Sequence, residues 1–273
     1  MNKESFNYKK NPPEGIFYNR MSASSHSRGH RFAPENTKNL LTWLEEKKRR
    51  IINNSRALEL EISKKEQYKE LEKFNLNFPT TYYSKSKKEL LENSKKFKKP
   101  FITKHNRGGK GLGVKYFKNT SELENYLNEG FEDSIDGTTL LQEYISSDPQ
   151  VITRVEFVKG KFLYAVQVDA SNGFELCPAD SCNIENEFCP TNPDGNKFMI
   201  IKNYQNSEIK KYENLLKSNG IEIAGIEYIK GKDGTHYTYD INTNTNYNPI
   251  AEEKSDIKGM DSIANFLYNE LRR

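Results

Sequence analysis

Strands interspersed with helices, two hairpins of period-two alternation late in the chain, and a proline parting two similarly capped helices predict an α+β fold of several lobes. The hairpins are RVEFVKGKFLYAVQV, turning at Lys159-Gly160, and IAGIEYIKGKDGTHYTYDIN, turning at Asp233-Gly234; the proline is Pro79. A chain of 273 residues is long enough to bury a sizeable core, as one large domain or two to three small lobes.

Taken in order, residues 1 to 14 are polar, contain Pro12 and Pro13, and read as a disordered lead. GIFYNR is a short strand, and it runs into SASSHSRGHRF, a loop rich in Ser and basic groups. Pro34 suits the first turn of a helix whose apolar stripe is Leu40, Leu41 and Leu44. IINN is the next strand. Ser63-Lys-Lys-Glu66 and Ser86-Lys-Lys-Glu89 each start a helix, because a Ser hydroxyl and a Glu three residues on can cap each other's backbone donors. PFITKHNRGGKGLGVKYF is strand, loop, strand. Leu123, Tyr126 and Leu127 share one face of a short helix, and TTLLQEYI is an apolar run with a polar end. Residues 171 to 206, with Pro178, Pro190 and Pro193, are irregular. Ile209, Tyr212, Leu215 and Leu216 mark a helix stopped at Asn219-Gly220. There is no internal repeat.

Lys and Arg total 42 against 38 Asp and Glu, a formal charge of +4. That is far below what a dedicated nucleic-acid binder carries. The N-terminus has no apolar core of signal-peptide length, and no apolar run reaches the ~18 residues that span a bilayer. Cys177, Cys182 and Cys189 are an odd number with no disulfide framework. The expectation is a cytoplasmic protein with neither nucleic acid nor membrane as partner.

Four glycines, Gly108, Gly109, Gly111 and Gly113, fall within the six residues 108–113 that follow the strand carrying Lys104. A Walker A loop needs Ser or Thr after Gly-Lys and then a helix; here Gly109-Lys110 leads to Gly111 and a strand. Dinucleotide-binding turns also need a helix, and kinase loops carry their lysine on the following strand. What remains is a flap whose backbone N–H groups approach an anion closely, with Lys104 reaching the same place, or an ordinary Gly-rich hairpin.

In the second hairpin, a two-residue turn at Asp233-Gly234 pairs Lys232 with Thr235 and sets Glu227 directly opposite Asp240. Asn242 shares their face, while Ile226, Tyr228, Tyr239 and Ile241 form a core face. Opposed carboxylates repel unless one is protonated or a cation lies between them. Either a divalent metal held by hard oxygens, Mg²⁺ or Mn²⁺, or a solvated hairpin that tolerates the repulsion meets this condition. In the first hairpin Val155, Phe157, Phe162, Tyr164 and Val166 share one face, leaving Arg154 and Glu156 on the other.

Taken together, these segments resemble the ATP-grasp superfamily, and within it the RimK-like carboxylate–amine ligases. The similarity runs in order from about Lys64 to Asn248: SKKEQYKELEKFNLNFPTT, PFITKHNRGGKGLGV, LLQEYI, the RVEF hairpin, AGIEYI and YDINTNTNYN. The resemblance implies a nucleotide clamped between a small lid lobe, residues 79–145, and a C-terminal lobe, residues 146–273. A short preATP-grasp-like α/β lobe, residues 1–78, would precede them. Lys64 and Lys104 would contact the phosphates of ATP, the 108–113 loop would close over them, and the main chain of Gln142, Glu143, Tyr144 and Ile145 would read adenine. Glu227, Asp240 and Asn242 match the family's ligands for Mg²⁺ or Mn²⁺. Arg154 matches an arginine facing the γ-phosphate and acyl group, and with Lys104 forms the catalytic pair.

Three departures fall on the substrate side. Ile152 stands where the family often has an acid two positions before the arginine, FELCPADSC replaces basic residues after the hairpin, and the N-terminal lobe is short. They argue against glutamate as substrate. The implied activity is an ADP-forming ligase that joins a small-molecule or peptide carboxylate to an amine, acting alone or as a homo-oligomer. A phosphotransferase of the same fold and a non-catalytic ATP-binding or peptide-recognition protein are the alternatives.

Other residues stay open between roles. Arg20, with the basic 26–31 stretch, either receives an acidic substrate or is surface. Asn244, Asn246 and Tyr247 follow the metal strand and can line a pocket or serve an Asn-rich turn. Cys177 and its two neighbours line a substrate pocket, pack, or supply a metal or catalytic thiol. His105 and His236 read as structural or exposed.

Overall fold

The computed structural model describes residues 9–109, 111, 113–170, 198–253 and 255–273. Its first part holds β1 (Ile16–Tyr18), a 3-10 helix (Ala23–Arg28), α1 (Ala33–Glu46), β2 (Arg50–Ile52), α2 (Ser55–Ile62) and α3 (Lys64–Lys73). β1 and β2 pair in parallel across the α1 crossover. Ser63 accepts from the Glu66 N–H to open α3, as its capping signature predicts. The Ser-rich segment is a 3-10 helix rather than a loop, because Ser22 caps the Ser24 N–H and Gly29, with φ 76°, closes it. α2 has no counterpart among the predicted elements; Asn54 caps it at Ala57. Of the predicted lead, Pro12 is buried and its carbonyl accepts from Arg49 Nη2 at 2.7 Å.

The second part is a four-stranded antiparallel sheet of order β3-β6-β4-β5. Its elements are β3 (Thr81–Ser84), α4 (Lys87–Ser94), β4 (Phe101–His105), β5 (Lys115–Phe117), α5 (Thr120–Glu129) and β6 (Thr139–Glu143). Leu90, Leu123 and Leu127 from the two helices cover Phe101, Phe117 and Leu141. Ser86 caps α4 as predicted.

The third part comprises β7 (Val151–Val158), β8 (Lys161–Asp169), β9 (Phe198–Ile200), α6 (Ile209–Ser218), β10 (Ile223–Lys230), β11 (His236–Asn242), α7 (Pro249–Glu253) and α8 (Gly259–Leu271). Its sheet runs β11-β10-β7-β8-β9. One face packs Val155, Phe157 and Ile226 against Tyr212, Leu215 and Leu216 of α6, all fully buried. Each such side chain is worth ~1.5–3 kcal/mol. The other face packs Ile152 and Val166 against Ile263 and Phe266 of α8. β9 replaces part of the predicted irregular stretch, and α7 and α8 were not predicted.

Two registers differ from simple alternation. Lys159 and Gly160 (φ 56° and 66°) do make a two-residue turn, with Val158 opposite Lys161. A bulge between Glu156 and Phe157 then inserts an extra residue into β8, so Phe157 faces Phe162 but Glu156 faces Tyr164. Tyr164 and Val166 therefore leave the Val155–Phe157 face for the α8 side. In the last hairpin the final pair is Lys230 with His236, so residues 231–235 make a five-residue loop and Lys232 does not pair with Thr235. Asp233 explains the longer loop, since its carboxylate accepts from Thr235 N–H at 3.0 Å and from the Tyr237 hydroxyl at 2.9 Å. A bulge at Tyr239 then cancels the one-residue difference, and Glu227 still faces Asp240. Among the described residues no helix is long and apolar enough to cross a membrane.

Candidate functional site

A cavity of about 570 Å³ opens between the lid sheet and the β7, β10 and β11 strands. Gly108, Gly109 and Gly111 line it on the lid side; Glu227, Asp240 and Asn242 line it opposite. The base of the glycine loop is held from two directions. Asn106 Oδ1 accepts from Lys65 N–H at 2.9 Å, and buried Arg107 donates to Glu35 Oε1 at 2.5 Å and to the Arg31 carbonyl at 3.0 Å. Gly113 stands apart from the cavity. Its φ is 74°, and a Cβ there would lie 2.2 Å from His105 Cδ2, so this fourth glycine serves the turn beneath His105.

α3 and β4 deliver the two lysines. Lys64 is buried at the start of α3 and its Nζ donates to Asp240 Oδ1 at 2.6 Å. Lys104 Nζ donates to the Tyr239 carbonyl at 3.3 Å and lies 4.9 Å from the centre of that ring. Burial pushes the Lys104 pKa below the ordinary lysine value, against the pull of Asp240 and Glu227. Burial pushes the Asp240 carboxyl up, but Lys64, Lys104 and Arg154 outweigh it and hold the group below the usual carboxylate range.

Arg154 of β7 is engaged at all three nitrogens. Nε donates to Glu156 Oε1 at 2.6 Å, Nη1 to Glu227 Oε1 at 3.0 Å, and Nη2 to the Thr245 hydroxyl, which in turn donates to Glu156 Oε2 at 2.7 Å. Glu227 and Asp240 thus each have a cation of their own. Their mutual repulsion is offset within the protein, and the opposed acids do not by themselves demand a metal ion, a correction to the argument from pairing alone.

The donor set nevertheless suits one. Two carboxylates and a carboxamide supply hard oxygen, which Mg²⁺ and Mn²⁺ favour. Among the described residues no group of three His, Cys, Asp or Glu could hold a metal ion. An ion here would complete its shell with phosphate oxygens and water, as Mg²⁺ commonly does.

The register of β11 depends on two buried amides. Gln67 of α3 brackets Ile241, accepting from its N–H at 3.0 Å and donating to its carbonyl at 2.8 Å. Asn53 donates to the Ile223 and Thr243 carbonyls, both at 2.8 Å. Glu61, which the sequence pattern does not single out, lines the cavity and collects three donors from Thr243 and Asn244 on Oε2, with Ala23 N–H on Oε1. Burial raises its pKa. Its only sequence signal is its place three residues before Lys64.

Other predicted residues divide. Gln142, Glu143, Tyr144 and Ile145 line the cavity, and Tyr144 meets Tyr116 edge-on at 5.0 Å. Asn244 lines it too; Arg20 does not, but its guanidinium holds Asn244 Oδ1 at 3.1 Å and Asn246 Oδ1 at 2.7 Å. Tyr247 is away from the cavity, buried in the α8-side core against Tyr164 at 6.1 Å, because Gly259 leaves room for its ring. Cys177, Cys182 and Cys189 lie outside the described residues. His105 is structural, its Nε2 bonded with the Glu132 carbonyl at 3.1 Å.

No protein-family model matches the sequence, and no curated protein does. Solved structures match its fold. The ATP-grasp ligase PsnB complexed with minimal precursor superposes with a TM-score of 0.64 at 15% identity, over 93% of this chain and 78% of that one. This chain has the ATP-grasp fold. The same fold relates it to D-alanyl-alanine synthetase A from Vibrio cholerae O1 biovar eltor, with a TM-score of 0.64 at 12% identity over 88% of this chain and 74% of that one. A RimK domain ATP-grasp protein from Sphaerobacter thermophilus gives 0.61 at 13% identity over 93% and 81%. In this chain the cavity lies where the lid sheet faces the large sheet.

Proposed function

We propose that this protein uses ATP to join a carboxylate to an amine, forming an amide or peptide bond through an acyl phosphate and releasing ADP and phosphate. One observation carries the reading: the glycine loop, Lys64, Lys104, Glu227, Asp240 and Asn242 all line the same cavity, so a single triphosphate can reach them together. Fold relatives support a nucleotide with a peptide or amino-acid co-substrate. PsnB has been seen with minimal precursor, Mg and ADP, and a Chryseobacterium gregarium ligase with ADP and a leader and core peptide.

A carboxylate is inert toward amines because its leaving group would be an oxide. Its oxygen attacks the γ-phosphorus, the bond from that phosphorus to the bridging oxygen breaks, and ADP leaves. The amine nitrogen then attacks the acyl carbon, the carbon–oxygen bond to phosphate breaks, and the nitrogen gives up a proton. Lys64, Lys104 and Arg154 hold the transferring group in line and meet its charge in a site shielded from water. The N–H groups of Gly108, Gly109 and Gly111 close over the phosphates, and the lid excludes water that would hydrolyse the intermediate. Mg²⁺ or Mn²⁺ held by Glu227, Asp240 and Asn242 would neutralise charge on the β- and γ-oxygens. The backbone of residues 142–145 reads the base, and Arg20 shapes the co-substrate side through Asn244 and Asn246. Division into lobes near residues 78 and 145 belongs to the same reading.

The test is ADP release across a panel of amino acids and dipeptides, with hydroxylamine added and products weighed by mass spectrometry. A hydroxamate of the stimulating acid is expected. ADP release with a stable phosphorylated product and no hydroxamate would make the protein a phosphotransferase instead.

A further inference from the structure

Tyr239 stands where alternation along β11 would not put it. The bulge between β10 and β11 makes it the extra residue, since the three residues Thr238, Tyr239 and Asp240 of β11 lie against the two residues Glu227 and Tyr228, and Tyr239 joins Asp240 in lining the cavity. Its hydroxyl donates to Glu227 Oε2 at 3.0 Å. The other oxygen, Oε1, accepts from Arg154 at 3.0 Å and from Asn242 Nδ2 at 3.3 Å. The Glu227 carboxylate is thus gripped at both ends, and Oε2 keeps a lone pair for a further partner.

The same residue holds the second lysine. Lys104 Nζ sits over the Tyr239 ring and donates to its carbonyl. One side chain therefore touches a carboxylate on β10 and an ammonium on β4, strands of two different sheets. We propose that Tyr239 is a positioning residue that aims Glu227 at the divalent ion and Lys104 at the phosphates of the same nucleotide; this rests on the ligase reading above.

Hydroxyl and ring separate the two duties. Mn²⁺ binding in the presence of ADP, followed by electron paramagnetic resonance, and ADP binding in EDTA are measured for the natural protein, Tyr239→Phe, Tyr239→Leu and Glu227→Gln. Tyr239→Phe keeps the ring and its volume, so Mn²⁺ affinity falls roughly 10- to 100-fold, as for lost outer-shell partners. Its metal-free ADP affinity stays within about twofold, since the ring still faces Lys104. Tyr239→Leu weakens both, ADP by roughly three- to tenfold. Tyr239→Phe with natural Mn²⁺ affinity, while Glu227→Gln loses it, overturns the role of Tyr239 alone. Unchanged Mn²⁺ affinity in Glu227→Gln overturns the metal assignment beneath it and the proposal together. Unfolding midpoints in urea keep the comparison among folded proteins, and Tyr239→Phe, which removes one oxygen, decides the outcome if Tyr239→Leu is unstable.

Discussion

Lys64 Nζ lies 2.6 Å from Asp240 Oδ1, with the two side chains only 6% and 16% exposed. The lysine proposed to meet phosphate and the carboxylate proposed to hold metal are therefore partners of each other. Arg154 and Glu227 repeat the arrangement at 3.0 Å. The cavity is electrically balanced by its own side chains, so a polyanion entering alone has to compete with carboxylates for each of these cations.

Asp240→Asn separates the two competing demands on Lys64. Without the carboxylate, Lys64 is free for phosphate and one negative charge is gone. ADP in EDTA should bind about tenfold tighter, ~1.4 kcal/mol. Ligase turnover should be lost, because the divalent ion keeps only one of its two anionic ligands. Isothermal titration with and without Mg²⁺ gives both numbers; equal or weaker metal-free binding would mean that Lys64 and Asp240 do not compete.

Two glycines of the flap should respond oppositely to alanine. At Gly113 the new methyl meets the His105 ring at 2.2 Å on a backbone with φ 74°. The left-handed backbone costs ~1 kcal/mol and the displaced ring more, so a loss of about 2–4 kcal/mol is expected. At Gly109 a Cβ would meet Ser24 at 3.6 Å, an ordinary contact. Stability there should hold within ~0.5 kcal/mol. Since Gly109 lines the cavity, KM for ATP should rise while the melting temperature stays. Thermal melts and ATP titrations distinguish the two; a stable Gly113→Ala protein with altered KM would reverse the assignment.

Arg50 should make the fold acid-sensitive. It pairs with Glu222 through two bonds of 2.6 and 2.7 Å, and with Glu270 at 2.8 Å, tying β2 to the start of β10 and to α8. Arg50 holds the Glu270 carboxyl below its ordinary value. A depressed carboxyl stabilises the fold above its unfolded pKa, ~4.3, and that contribution is lost as pH falls through the lower folded value. Arg50→Met should cost about 1–2 kcal/mol at pH 7, discounted because Arg50 is over a third exposed. Its urea midpoint should then fall less steeply than the natural protein's below about pH 4. Parallel slopes would show that the pair contributes no linkage.

The legible part of this molecule is local. Ser63 and Ser86 cap their helices because hydroxyl and backbone donor are three residues apart. Lys159-Gly160 turns because both residues accept positive φ. Glu227 faces Asp240 as counted, although the count reached it through a turn the chain does not make: the longer Asp233 loop and the Tyr239 bulge each shift the register by one residue, in opposite senses. Tyr239 itself was assigned to the core for the same reason, since a bulge reverses sidedness and leaves no mark in a period-two pattern.

Composition, capping and alternation determined the α+β class, the strand–loop–strand flap and the late acidic ribbon. Each is decided by residues a few positions apart, where backbone geometry leaves few choices. Packing decided the rest. Lys64 meets Asp240 across 176 positions and Arg107 meets Glu35 across 72; Glu61 reaches Thr243 across 182. Lys64 and Glu61 reach their partners because Gln67 and Asn53 lock β10 and β11 against the preceding helices and β2, and no spacing along the chain encodes how two distant surfaces fit.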